Sequence, residues 1–291
     1  MGLDLKEFTR QVRVLDGAWG TQLQARGLSG GACPELWNDQ APEAVEAVAR
    51  GYVDAGSDVI LTNTFGGNRF VLTGLGLADR AGELCEKGAR ISRRAAAGTD
   101  VKVFGSIGPT GKIVMMGEVP EADLLAAFRE PAAALERGGV DALVLETFNE
   151  LDELVLALRA ARETTDLPIV CCMTFSSGPD RTNTMMGNSP IDLVAEAEGH
   201  GAAGVGANCG VGPENYVAVA ELLRGATDLP IWIKANAGLP IVREGKTVFP
   251  MSPQEFGSRV PELVEAGANL VGGCCGTGPE FIREIRAALG R

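Results

Sequence analysis

The chain has 291 residues, of which 45% are hydrophobic, 5% aromatic and 22% charged, a composition typical of a globular protein with one large domain or two small ones. Its 26 basic and 38 acidic residues give a formal net charge of −12, which argues against nucleic acid or an anionic membrane surface as the main partner. The sequence has neither an apolar run long enough to span a membrane nor a signal peptide, so we expect a cytoplasmic protein.

Short apolar runs bounded by Gly, Pro or Asp recur along the chain and predict strands. There are eight, and by sequence and first residue they are VRVLDGA from Val12, DVILTNTF from Asp58, VKVFGSIG from Val101, DALVLETF from Asp141, PIVCCMTF from Pro168, AGVGANCG from Ala203, PIWIKANAG from Pro230 and NLVGGCCG from Asn269.

Amphipathic stretches with helical periodicity, such as EAVEAVARGYVDAG and NELDELVLALRAARETT, lie between these runs. Ser189 and Ser252 each precede a proline and an acidic residue and are predicted helix N-caps. Eight strands that alternate with helices predict a single α/β domain over residues 1–291, a (β/α)8 TIM barrel. A doubly wound sheet is the second possibility.

The carboxyl ends of the strands carry the active site in such a barrel. The polar or sulfur-containing residues that the sequence places there are Asp16, Asn63, Glu146, Cys209, Asn236, Cys274 and Cys275. Four long connections rich in glycine and proline, at 21–42, 109–120, 176–190 and 239–253, leave from the same predicted face. We expect them to cover a bound substrate.

Cysteine and histidine usage narrows the chemistry. The chain has 7 Cys and 1 His, and two cysteine pairs are sequence neighbours, which rarely bridge each other, so we expect free thiols or metal ligands rather than disulfides. Because His200 is the single histidine, a metal site with two histidines is excluded. His200 comes just before the sixth predicted strand, so we expect it at the barrel end opposite the active site. The cysteines interpreted as packing residues are Cys33, Cys85, Cys171 and Cys172.

The other three cysteines form a predicted metal site. Cys209 ends the sixth strand, Cys274 and Cys275 end the eighth, and flanking glycines allow backbone angles that let neighbouring sulfurs face one point. Three thiolates around Zn²⁺ leave one tetrahedral position open, as in a catalytic zinc site. The alternatives are buried packing residues and a non-catalytic vicinal-thiol sensor of oxidants or metals.

An open zinc site with three thiolates suits a thiol as its fourth ligand, because coordination removes the thiol proton. The sequence therefore predicts activation of a thiol substrate for attack on an electrophilic carbon. On the same face Asp16 and Glu146 are candidates for binding a substrate ammonium group, with helix capping as the alternative. Asn236 is a candidate for a hydrogen bond near the metal.

Seven motifs occur in the order found in the homocysteine S-methyltransferase family, which the chain resembles over nearly its whole length. They are DGAWGT from Asp16, TNTFGGNR from Thr62, SIGPTGK from Ser106, ETF from Glu146, GANCG from Gly206, KANAGLP from Lys234 and GGCCGTGP from Gly272. The family includes betaine–homocysteine methyltransferase and the homocysteine-binding module of cobalamin-dependent methionine synthase.

This resemblance implies a zinc-dependent methyltransferase that converts homocysteine to methionine, with Cys209, Cys274 and Cys275 as zinc ligands. It further implies that Asp16 and Glu146 hold the amino group of homocysteine. The backbone N–H groups of Ala18 and Trp19 would hold its carboxylate. Asn236 matches a family asparagine that occupies the open zinc position when substrate is absent.

The methyl donor is less defined by the resemblance. Trp19 stands where the methionine synthase type usually has Met, and the segment RTNTMMGNSP differs from the shorter glycine-rich run of the family. The sequence contains no folate or cobalamin module, so we expect the donor to be a separate corrinoid protein or a small molecule. Because the motifs look most like those of the methionine synthase module, we expect a corrinoid protein carrying methylcobamide. The alternatives are a small donor such as S-methylmethionine or betaine, another thiol or selenol acceptor, and a corrinoid-dependent demethylase.

Overall fold

Eight parallel strands form the barrel of this protein, whose structure is a computed structural model that describes residues 2–243 and 246–291. The first seven barrel strands are β1 Arg13–Val14, β2 Val59–Leu61, β3 Lys102–Ile107, β4 Ala142–Phe148, β5 Ile169–Met173, β6 Gly204–Cys209 and β7 Ile231–Ala235. A separate antiparallel hairpin follows, formed by β8 Ile241–Arg243 and β9 Lys246–Val248, and the eighth barrel strand is β10 Leu270–Gly273.

Helices surround the strands on the outside. Their bounds are α1 Leu5–Phe8, α2 Gly20–Gln24, α3 Trp37–Gln40, α4 Pro42–Ala55, α5 Arg69–Thr73, α6 Ala81–Ala96, α7 Glu121–Arg137, α8 Leu151–Arg162, α9 Pro190–Gly199, α10 Pro213–Ala226, α11 Pro253–Glu265 and α12 Pro279–Ala288, with short 3₁₀ turns at Ala78–Arg80 and Val114–Met116. Among the described residues, no helix combines the length and the apolar character needed to cross a membrane.

The strands pair in the order β1-β10-β7-β6-β5-β4-β3-β2. Asp58 joins the two outer strands of this order, since its N–H donates to Val14 O (2.7 Å) and its carboxylate accepts from Val14 N–H (2.8 Å). The sheet is therefore a nearly closed barrel, which confirms the predicted (β/α)8 fold and not the doubly wound alternative.

Apolar side chains fill the interior of the barrel as well as the layer between strands and helices. Inside, Trp232 stacks on Phe104 with ring centroids 5.8 Å apart. Gly206 on the neighbouring strand makes room for this residue, because a Cβ there would lie 2.1 Å from Trp232 O. The barrel is thus packed through its middle and is not a channel.

Local sequence signals account for several element ends. Ser189 and Ser252 cap α9 and α11 as predicted, each in a reciprocal capping box with the acidic residue three positions later. Gly56, with a φ of 94°, ends α4 in the left-handed conformation that glycine favours. His200 ends α9 shortly before β6 begins, so it lies at the barrel end opposite the cysteines, as predicted.

The long connection at 239–253 contains regular structure that is not predicted from the sequence, the β8–β9 hairpin. Residues with high β-propensity in both strands, among them Ile241, Val242, Thr247 and Val248, favour this antiparallel pairing. Residues 244–245 of this connection lie outside the described residues.

We expect Gly206→Ala to lower the free energy of unfolding by about 3 kcal/mol or more, because the new methyl group would overlap the backbone of Trp232. Gly225→Ala is the matched control, since Gly225 lies in α10 with no atom within 4 Å of an added Cβ. That variant should gain roughly 0.5–1 kcal/mol from helix propensity. Urea unfolding of both variants measures the difference, and equal stabilities would contradict the packing account.

Candidate metal and substrate site

Three cysteine sulfurs meet where β6 and β10 end. The Sγ atoms of Cys209, Cys274 and Cys275 all lie within 4.8 Å of one another, and those of Cys209 and Cys275 are 3.9 Å apart. All three side chains are only partly buried. The structure therefore brings the three predicted ligands together at the mouth of the barrel, in reach of a ligand from outside.

Unusual backbone angles create this arrangement. Cys209 has a φ of 65°, a left-handed conformation that non-glycine residues rarely adopt. After β10, Cys274 N–H donates to Ala235 O (2.6 Å), and Gly276 has a φ of 83°, where a Cβ would lie 2.3 Å from that of Phe249. The two neighbouring cysteines thereby leave the regular alternation of a strand and both approach Cys209.

Hydrogen bonds from neighbouring side chains fix the backbone of the three cysteines. The Tyr216 hydroxyl donates to Cys209 O (2.7 Å) and the Thr277 hydroxyl donates to Cys274 O (2.7 Å). Asn236, which is buried, accepts from Cys275 N–H through Oδ1 (3.0 Å). Asn236 thus lies beside the sulfur cluster, where the sequence places it, and the cluster is preorganised.

Hydrogen bonds couple the three thiols to one another. Hydrogen bonds from Cys274 and then from Cys275 lower the pKa of Cys209. The same contacts with Cys209 raise the pKa of Cys274 and of Cys275. The hydrogen bonds thus favour the thiolate form at Cys209, and a metal ion bound by all three sulfurs would displace the remaining protons.

The sulfur spacing fits a tetrahedral zinc ion. Zn–S bonds of about 2.3 Å place tetrahedral sulfur ligands about 3.8 Å apart, close to the 3.9 Å between Cys209 and Cys275. Thiolates also select zinc over magnesium or calcium. A metal ion held by all three sulfurs would keep one tetrahedral position for a further ligand.

Asp16 follows β1 and is completely buried. Both of its carboxylate oxygens accept hydrogen bonds from other groups of the protein. Oδ1 pairs with Nζ of Lys234 on β7 at 2.5 Å, and Oδ2 accepts from Trp19 Nε1 (2.8 Å) and Leu61 N–H (2.7 Å). A lysine ammonium group thus contacts the carboxylate for which the sequence predicts a substrate ammonium group. Lys234 is not among the site residues predicted from the sequence, although a charged residue within the apolar run PIWIKANAG is a usable signal.

Glu146 on β4 is the second predicted ammonium ligand, and it is nearly buried at 7% exposure. Its Oε1 accepts from Ser106 Oγ (2.5 Å) and its Oε2 accepts from Asn208 Nδ2 (3.3 Å). Burial raises the pKa of Glu146, while the charge of Lys234 opposes this shift. Glu146 makes fewer internal hydrogen bonds than Asp16, so it retains more capacity to accept a substrate group.

The remaining predicted substrate residues make internal contacts whose relation to a ligand stays a prediction. Ala18 N–H donates to the backbone oxygen of Thr277 (3.2 Å), and Trp19 directly precedes α2. Asn63 donates through Nδ2 to Pro34 O (2.7 Å). Asn63 therefore holds the first long connection against the end of β2.

The other four cysteines are buried and lie outside the sulfur cluster; they are Cys33, Cys85, Cys171 and Cys172. Burial raises the pKa of Cys33 to about 11 and that of Cys171 to about 12. Thiols that remain protonated are poor metal ligands. Their positions agree with the interpretation as packing residues.

Further buried carboxylates at this end of the barrel anchor loops. Glu35 accepts from Gly66 N–H (2.6 Å). Glu150 accepts from Met115 N–H (2.8 Å), and Glu153 accepts from Thr110 N–H (2.7 Å). These acids bind N–H groups of loops, whereas the hydrogen bonds of Glu146 are to side chains, Ser106 and Asn208.

Exposed apolar side chains occur on the connections that follow β2, β3, β5 and β7. We call them the apolar rim, and its members are Phe65, Ile113, Met115, Met116, Met185, Met186, Leu239, Ile241 and Val242. Met115 is 69% and Met185 is 72% exposed. Exposed apolar residues grouped at one end of a molecule are typical of an interaction surface, and methionine adapts readily to different partners.

A family model described as homocysteine S-methyltransferase matches residues 13–289. Methionine synthase of Mycobacterium tuberculosis is 35% identical over 98% of this chain, and methionine synthase of Mycobacterium leprae is 34% identical over 99% of it. The chain spans about a quarter of the length of these relatives, 25% in each case.

Solved structures of the homocysteine methyltransferase MmuM from Escherichia coli share the fold. The metallated form superposes with a TM-score of 0.78 at 25% identity and covers 96% of both chains. The apo form gives a TM-score of 0.75 at the same 25% identity.

We expect Cys209→Ala and Cys275→Ala to lose stoichiometric zinc, because two sulfurs cannot retain the ion against a chelator. Cys33→Ala is the control, since this buried cysteine lies outside the cluster. Zinc per protein chain, measured by atomic absorption after dialysis against a weak chelator, distinguishes them. One zinc per chain in either cluster variant would contradict the ligand assignment.

Proposed function

Because this chain belongs to the homocysteine S-methyltransferase family, we propose that it binds zinc through Cys209, Cys274 and Cys275 and transfers a methyl group to homocysteine, giving methionine. The observation that carries the proposal is the triangle of sulfurs, whose spacing suits a tetrahedral ion with one free position. When bound there, zinc supplies deprotonation of the substrate thiol at neutral pH.

The protein residues orient the substrate around that position. Glu146 is proposed to accept the ammonium group of homocysteine, with the Asp16–Lys234 ion pair behind it. Backbone N–H groups of Ala18 and Trp19 are proposed to contact the carboxylate. Held in this way, the sulfur is aligned with the donor carbon, so that the new S–C bond forms as the bond between the methyl group and the donor breaks.

A corrinoid protein carrying methylcobamide is our proposed methyl donor. The apolar rim supports this, because a small soluble donor needs a pocket but no exposed apolar surface around it. The similarity to methionine synthases over this segment favours the same donor chemistry. Since the reaction needs reduced thiols, we also infer a reducing compartment such as the cytoplasm.

We expect Glu146→Gln to weaken homocysteine binding at least tenfold while zinc content stays at one per chain, because the ammonium group loses its charged partner. Calorimetric titration of the zinc-loaded protein measures this. The ligand 4-mercaptobutyrate, which is homocysteine without its amino group, is the control and should bind both proteins equally. Unchanged homocysteine affinity would refute the role of Glu146.

We expect methylcobalamin to support the fastest formation of methionine among four donors, the others being S-methylmethionine, betaine and methyltetrahydrofolate. The zinc-free Cys209→Ala variant is the control for uncatalysed methyl transfer. Steady-state assays with each donor at the same concentration decide the point. A faster reaction with S-methylmethionine or betaine would indicate that the methyl donor is a small molecule and not a corrinoid protein.

A further inference from the structure

Two residues at the site hold backbone angles that are unfavourable for their type. Thr147, which follows Glu146 on β4, has a φ of 66°, and Cys209 at the end of β6 has a φ of 65°. Among the described residues only one other non-glycine residue, Arg181, has a positive φ. Strained conformations of this kind persist when the surroundings hold them and are frequent at functional sites.

The side chain of Asn208 contacts the strained part of β4. Asn208 also directly precedes Cys209, the strained residue of β6. Asn208 is fully buried; its Oδ1 accepts from Thr147 N–H (2.8 Å), and its Nδ2 donates to Thr147 Oγ1 (2.6 Å) and Glu146 Oε2 (3.3 Å). The pairing of β4 and β5 is irregular between Leu145 and Phe148. Asn208 therefore fixes this irregularity from β6, across β5.

These contacts connect the two ends of the proposed substrate site. Asn208 is bonded to the carboxylate proposed to accept the ammonium group, and it is covalently joined to Cys209, a proposed zinc ligand. The distance between the ammonium position and the thiol position is thus set through one amide side chain. Homocysteine has a fixed number of bonds between its nitrogen and sulfur, and cysteine has one methylene fewer.

We propose that Asn208 is a positioning residue that sets the spacing between Glu146 and the sulfur cluster and thereby selects homocysteine over its shorter homologue cysteine. This inference rests on the proposed function, because it assumes that an aminothiol binds between these groups. Loss of the amide leaves Thr147 N–H unpaired and frees the Glu146 carboxylate to move. The ammonium contact is then weakened, whereas the sulfur position is retained.

The test is calorimetric titration of zinc-loaded Asn208→Ala with homocysteine, cysteine and 4-mercaptobutyrate. We expect the variant to bind homocysteine at least tenfold more weakly, whereas its affinity for 4-mercaptobutyrate should change less than threefold. One methylene group is typically worth about tenfold or more in affinity. We expect this preference for homocysteine over cysteine to be largely lost in the variant. If Asn208→Ala does not fold, the same three affinities are measured for Asn208→Ser, which keeps a polar side chain at this position.

Asn68→Ala is the matched control, because Asn68 is another buried asparagine whose amide accepts from Phe70 N–H and Val71 N–H to cap α5. It should lower the melting temperature without changing the preference among the three ligands. In a Glu146→Gln background, Asn208→Ala should add less than a threefold loss of homocysteine affinity, because Asn208 acts through Glu146.

Equal weakening of all three ligands in the folded, zinc-loaded Asn208→Ala variant would reduce Asn208 to a structural role and overturn the inference. Unchanged homocysteine affinity would overturn it as well. If the unmodified protein itself fails to bind homocysteine, the proposed function fails and the inference fails with it. Homocysteine binding by the unmodified protein therefore separates the two cases.

Discussion

The buried ion pair between Lys234 and Asp16 is the constraint on which the carboxyl end of the barrel depends. It joins Lys234 on β7 to Asp16, which lies two residues after the end of β1. The strand between them in the barrel is β10, which leads to Cys274 and Cys275. A charge enclosed by protein must have a partner, and removal of one partner of such a pair typically costs about 3–5 kcal/mol. The positive charge of Lys234 also acts on Glu146 and opposes the effect of burial on its pKa. A cation that belongs to the protein thus holds Asp16 in place and acts electrostatically on Glu146.

Sequence patterns predicted the strands and the sulfur cluster because each depends on local information. A run such as PIVCCMTF marks β5 by its own composition, and the carboxyl ends of parallel strands necessarily face one way. The charge of Lys234 within an apolar run is visible in the sequence, but its partner Asp16 and the contacts of Asn208 were not predictable, since they join strands far apart in the chain. Asn208 contacts Thr147 across 61 positions, and the interior register that brings them together is visible only in the folded barrel.

Carboxylates at the barrel mouth illustrate the same limit. Position alone does not separate Glu35 and Glu153, which bind loop N–H groups, from Glu146, which faces a serine and an amide. What distinguishes them is the number of acceptor positions that the fold has already filled. Composition counts all of these acids alike, and so the net charge of −12 says little about the site. Much of the acidity that surrounds the mouth serves the loops.

The seam between β1 and β2 has a consequence for the dynamics of the molecule. β1 is only two residues long, and Asp58 joins it to the start of β2. All other neighbouring strands of the barrel are joined by a ladder of backbone hydrogen bonds. Elements with few protected backbone hydrogen bonds open at a lower free energy than the rest of a protein. Asp16, Ala18 and Trp19 follow directly after this strand, whereas the cysteines follow β6 and β10. Any opening of the barrel is therefore expected to begin at this seam, next to the segment proposed to hold the amino acid end of the substrate.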